Sequence, residues 1–155
     1  MSGSYVYDKS KYHMGEGTNY ASSWETASAP ALYILRWMIA RNFLDDGFWD
    51  DARGSLEKYR AGEMSLFKLY EKECDLCLVD DMFTKEGNAF GQVYFDYNTG
   101  GYLNDLAKTL QYKGYPEFNE VLYQKVGPII DTRYEVWKRP SKGLLRWIGK
   151  GKNDA

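Results

Sequence analysis

The chain has 155 residues, 44% of them hydrophobic and 27% charged. That balance excludes a disordered chain and suits one domain with a substantial core. It contains no run of about 18 apolar residues, which excludes an apolar membrane-spanning helix, and its net charge of −2 is unevenly spread.

Residues 1–137 carry 14 basic and 21 acidic side chains, a net of −7, whereas six basic side chains from Lys138 onward face Asp154 alone. Phosphate binding needs clustered Lys and Arg, so the acidic body argues against direct nucleic-acid contact. It favours a basic protein partner through steering and complementarity. Fourteen Tyr and five Trp raise the aromatic share to 17%, which serves either a core of large side chains or an interface.

Residues 1–24 read as an irregular arm rich in Ser, Gly and Tyr. Its start, MSGSYVYDKSKYH, has no apolar signal-peptide core, and two cysteines make no disulfide framework, so a cytoplasmic, reducing placement is expected. The first helix is expected over 28–44, with Ser28 as N-cap and Pro30 in the first turn. Leu32, Leu35, Ile39 and Phe43 recur at helical spacing and Trp37 and Met38 widen the stripe, which marks a core helix. A second helix is expected over 46–61, with acidic residues first, Lys58 and Arg60 last, and Gly62 as its C-terminal cap. A third begins at Ser65 and runs to about Cys74.

Thr84 is a candidate N-cap for a helix carrying Phe90, Val93, Tyr94 and Tyr97. The turn YNTGG ends it, and YLNDLAKTL comes next as a short helix. Residues 115–139 form the last helical stretch, with a break or kink expected at Gly127-Pro128. The best strand candidate, QVYFDY, has helical flanks. The expectation is a mainly α protein: a single compact helical domain of about five to seven helices over 1–138, with an irregular N-terminal arm. Residues 139–155 form a basic amphipathic C-terminal tail.

Motifs for chemistry are sparse. Cys74 and Cys77 have C-x-x-C spacing, but a structural zinc site needs four ligands and there is no second cysteine pair. Packing on a shared helical face is the simpler reading. His13 is the only histidine, and no nucleophile motif accompanies it; bonding to a nearby carboxylate or backbone group is its ordinary role. The pairs Asp45-Asp46 and Asp50-Asp51 fail the calcium-loop spacing and sit where a helix N-terminus favours acids. Asp80 and Asp81 stand among apolar Leu78, Val79, Met82 and Phe83. Adjacent carboxylates point about 100° apart on a helix and to opposite sides of a strand. They therefore suit turn capping or a partner better than an acid–base dyad, and Glu86 and Asn88 extend the polar corner. In the tail, Lys142, Arg146, Trp147 and Lys150 suit contact with the acidic body, with nucleic acid, or weakly with an anionic membrane.

The segments YDKSKYH, YILRWMIARNFL, CLVDDMFTKEGNAFGQVYFD, GGYLNDL and IIDTRYEVWK, in that order, resemble a small bacterial family described as a domain of unknown function, DUF7832. The resemblance covers roughly residues 5–138, with Val-Asp-Asp through Glu-Gly-Asn-Ala-Phe its most specific part; Met14 departs from the pattern. It carries no catalytic residues. By analogy of type, small acidic proteins of this kind neighbour toxins as immunity proteins. The expectation is a non-enzymatic binding protein that occludes a cognate toxin, or another basic protein, with an acidic, aromatic-rich surface. Asp45, Asp46, Asp50, Asp51, Asp80, Asp81 and Glu86 are the candidate contacts, and no catalytic residue, cofactor or metal is expected. The alternatives are a small enzyme with a carboxylate site around Asp80, Asp81 and His13, and a peripheral membrane adaptor using the tail.

Overall fold

Helix α1 (Trp24–Ala40) is the axis of the molecule. From Ala27 to Ile39 every residue but Arg36 is buried, and a helix apolar on all sides has to be enclosed by others. The computed structural model describes residues 4–17 and 20–140. Among them are two strands, β1 (Val6–Lys9) and β2 (Cys77–Val79), and six further helices: α2 (Asp46–Asp51), α3 (Arg53–Arg60), α4 (Leu66–Cys74), α5 (Lys85–Tyr94), α6 (Tyr102–Leu110) and α7 (Glu120–Lys138). The protein is mainly α. The tail residues Lys142, Arg146, Trp147 and Lys150 lie outside the described residues.

Several boundaries differ from the sequence reading. Helix α1 starts four residues before Ser28, because Ser23 accepts a bond from the backbone N–H of Thr26 at 3.1 Å. Ser28 sits inside the helix, where its hydroxyl donates to the Trp24 carbonyl and meets Ser10 Oγ at 2.6 Å. The second expected helix is two, α2 and α3, divided at Ala52 (φ −97, ψ 9). Gly62 closes α3 with φ +78, a conformation that suits glycine. Helix α7 is capped by Asn119, whose side chain accepts from Leu122 N–H, and is continuous through Pro128, where a break or kink was expected.

Strands appear where none was expected, and QVYFDY covers the last residues of α5 and the three beyond its end. The N-terminal arm supplies β1, which pairs antiparallel with β2 through Val6–Val79, Asp8–Leu78 and Lys9–Cys77, with an irregularity between Val6 and Asp8. Cys74 closes α4 and Cys77 opens β2, so the two do not share a helical face. Asp75 and Leu76 between them both take left-handed φ, 53 and 56.

The core is aromatic. Trp37 is fully buried and meets Phe43, Phe95 and Tyr134 edge-on and Phe90 at a tilt, with centroids 5.3–6.0 Å apart. That spacing is the favourable range for ring pairs. Three buried tyrosines bond their hydroxyls across long stretches of chain, Tyr102 to Pro30 O at 2.6 Å, Tyr33 to Glu117 O at 2.7 Å and Tyr7 to Asn88 Oδ1 at 2.6 Å, whereas the buried Tyr70 hydroxyl has no partner among the described residues. Large rings therefore fill the interior while their polar ends tie α6, the 115–119 loop and α5 to α1 and β1.

Candidate functional site

Around Arg36, the one residue of Ala27–Ile39 that is not buried, α1 borders a hollow. Glu25, Leu32, Arg36, Ile39 and Ala40 lie along it, and the α3–α4 turn and the start of α7 rise on either side. The result is a groove of about 730 Å³, within the range of ligand and peptide sites. Leu32 and Ile39 make an apolar floor, and Met64, Phe67 and Phe118 make apolar walls. A second hollow of about 270 Å³ shares Ile39, Asn42 and Arg60 with it and extends to Leu44, Asp46 and Trp49.

Midway along the groove, Arg36 Nε donates to Glu120 Oε1 at 2.8 Å and the Tyr59 hydroxyl donates to Glu120 Oε2 at 2.5 Å. The Arg36 guanidinium also lies over the Tyr123 ring, 4.3 Å from its centroid. Burial would lower the Arg36 pKa, but the bond to Glu120 and the charges around it together outweigh burial, and the value rises. Burial, then the Glu120 bond, push the Tyr59 phenol up. This trio is closed on itself. Arg60, at the junction of the two hollows, lies over the Trp49 ring with its guanidinium carbon 4.6 Å from the centroid, and it has no ion-pair partner among the described residues. Sequence reading missed Arg36 and Arg60 as site residues. The visible signal was one cation inside the apolar run YILRWMIA; nothing local marks the other.

The expected acidic contacts fall in two places. Asp45 caps α2, accepting from Gly47 N–H at 2.9 Å and Phe48 N–H at 3.2 Å. Asp46 lines the second hollow, Asp50 pairs with Arg53 at 2.7 Å, and Asp51 is exposed. Of these four only Asp46 lines a hollow, the second one, which shares residues with the groove. Asp80, Asp81 and Glu86 do not line it. Asp80 and Asp81 occupy a 3-10 turn (Asp80–Met82), where Asp81 accepts from Ser4 Oγ at 3.2 Å. Asn88 clamps that turn by donating to the carbonyls of Asp80 and Phe83 at 2.9 and 3.2 Å, and Glu86 accepts from the Tyr134 hydroxyl. Thr84 caps α5 through Gly87 N–H. A Cβ on Gly87 would sit 2.9 Å from Phe43, and one on Gly91 2.8 Å from the Tyr7 hydroxyl. The Glu-Gly-Asn-Ala-Phe-Gly stretch thus docks α5 closely on β1 and α1.

His13 bonds to Asp8 rather than to Asp80 or Asp81: its Nε2 lies 2.6 Å from Asp8 Oδ1, while Tyr97 donates to Asp8 Oδ2 at 2.7 Å. Neither hollow is lined by Asp8, His13, Asp80 or Asp81. Both cysteines are free. Burial pushes the Cys74 thiol up to about 12 and raises that of Cys77, which disfavours the reactive thiolate. Among the described residues no cluster of three or more His, Cys, Asp or Glu is placed to hold a metal, and no helix is long and apolar enough to cross a membrane.

Compared with known proteins, residues 6–121 match a family model described as Domain of unknown function (DUF7832). No curated protein and no solved structure matches the chain.

Proposed function

The chain belongs to the DUF7832 family, and from that premise we propose a non-enzymatic binding protein that neutralises a cognate toxin by occluding it with an acidic, aromatic-rich surface. The observation that carries the reading is the open groove beside α1, adjoined by a second hollow lined by Asp46 and Trp49. A hollow with apolar and charged lining side by side suits a protein interface. The net of −7 over residues 1–137 would steer a basic partner toward it. A cytoplasmic setting accompanies this proposal.

The test is co-expression with the product of the neighbouring gene, scored by growth and by co-purification. Protection together with a stable complex is expected. Asp46→Lys, Asp50→Lys and Asp51→Lys combined should weaken the complex at least tenfold; Asp45 is left intact because it caps α2. Failure to protect, with no complex, overturns the proposal. Asp80, Asp81 and Glu86 lie off the groove, so reversing Asp81 alone should leave binding within about twofold, as for a residue outside the buried centre.

A further inference from the structure

Helix α7 has two apolar sides. Its core side carries the buried Tyr123, Val126, Gly127, Ile130 and Tyr134. On the opposite side Val121, Lys125, Pro128, Ile129, Thr132 and Val136 fall within about 100° of arc at 3.6 residues per turn, and all six are exposed. Four of them are apolar, with Val121 74% and Val136 54% exposed. A helix packed by one face ordinarily turns charged and polar side chains outward. The Thr132 hydroxyl donates to the Pro128 carbonyl of its own helix at 3.0 Å, so its polar end is already satisfied. A contiguous apolar strip on an outward face marks an interaction surface. None of the six residues lines either hollow, so the strip is a surface separate from the groove.

The order of residues along the strip points to what covers it. Set a second copy antiparallel against it, with a two-fold axis between Pro128 and Ile129. Val121 then comes level with Val136 of that copy, Lys125 with Thr132, and Pro128 with Ile129. Each pairing occurs twice, as a two-fold interface requires, and no charge meets a like charge. Lys125 can cover Thr132 with its methylene stem and keep its ammonium in water. Parallel pairing would set Lys125 against Lys125, which is unfavourable. Other occupants match less well. Lys125 is the only charge on the strip, and Glu135 at its edge already lies 3.6 Å from Arg41 and 3.9 Å from Lys138. A basic partner of the kind proposed for the groove finds no free anion here. Nor does the tail, which has six basic side chains from Lys138 onward against Asp154 alone.

We propose that the outward strip of α7 is a self-association surface, pairing two copies of this chain antiparallel about a two-fold axis. The strip runs about 22 Å from Val121 to Val136 at 1.5 Å per residue. At about 10 Å wide it falls short of the roughly 800 Å² per partner of a standard interface, so the dimer is weak and reversible.

Sedimentation equilibrium of the full chain tests this between about 10 µM and about 1 mM, the range in which so small an interface assembles. The weight-average mass should rise from 18.0 kDa toward twice that value. Val136→Glu turns a carboxylate toward Val121 of the second copy and should weaken association about tenfold. Val121→Lys should do the same. Both substitutions in one chain should restore association at low salt and lose it again near about 1 M salt. The two new charges can meet only across the interface, because within one helix they stand about 22 Å apart. Circular dichroism checks that these exposed-site variants keep their fold. A chain that stays at 18.0 kDa throughout, association unchanged by either single substitution, or no recovery in the double variant overturns the proposal. A chain that dimerises only once Leu144→Glu and Trp147→Glu are introduced places the tail on the strip. One that is monomeric in both forms leaves the strip to another protein, and either result also overturns the proposal.

Discussion

Single side chains decide how the buried polar groups are satisfied. Asp105 is nearly buried and accepts from the Tyr94 hydroxyl at 2.6 Å and from both Arg133 Nε and Nη2 at 2.8 and 2.9 Å. The Arg133 bonds, with help from Tyr94 against the burial cost, hold its carboxyl below the usual carboxylate range. A depressed folded value means that the stabilisation is full above the unfolded pKa of about 3.9 and is lost as pH falls through the folded value. Asp105→Asn should therefore lower stability by about 2 kcal/mol at pH 7, and urea titrations should show the gap to wild type narrowing below about pH 4. Gly91 is a second such point, because the Tyr7 hydroxyl occupies the space of its Cβ. Gly91→Ala should lower stability by about 1–2 kcal/mol, since overpacking exceeds the gain in helix propensity of about 1 kcal/mol.

At the scale of elements, caps and prolines set the helices. Ser23→Ala removes the α1 cap and should cost about 1 kcal/mol, read as a lower urea midpoint with unchanged slope. Pro128 lies inside an unbroken α7 on an exposed face, where it denies the Gln124 carbonyl its usual donor. Pro128→Ala should raise the melting temperature, by up to about 3 kcal/mol in stability. The caps Ser65, Thr84 and Gly62 were legible in the sequence because each combines a short polar or flexible residue with a helical stripe next to it. Ser28 misled because it has the same chemistry, yet its partners, Trp24 O and Ser10 Oγ, only exist once the helix and the arm have met. β1 and β2 were illegible for a related reason. Strands of four and three residues carry too little alternation to register, and their pairing joins positions about 70 residues apart.

At the scale of the whole molecule, the aromatic excess resolves into a core built on α1. Trp37 is fully buried among four rings and donates its Nε1–H to Asp131 at 2.8 Å, whereas Trp24 remains 45% exposed. Trp37→Ala should cost about 3–5 kcal/mol and Trp24→Ala under about 1 kcal/mol, compared by urea denaturation. By itself the sequence determined the helical class, the position of the central helix, most caps and the acidic character of the body. Those properties follow from periodicity, propensity and charge, all of which act over a few residues or by simple summation. Tertiary structure alone decided the groove: Glu25 and Arg36 of α1, Arg60 of α3, and Phe118 and Glu120 at the start of α7 come from three parts of the chain, and no local rule brings those parts together. It also supplied the clamp on Asp80 and Asp81, whose turn was expected from the sequence but whose Asn88 bonds were not. A surface depends on which helix faces are left uncovered, and that is known only after the other faces have found their partners.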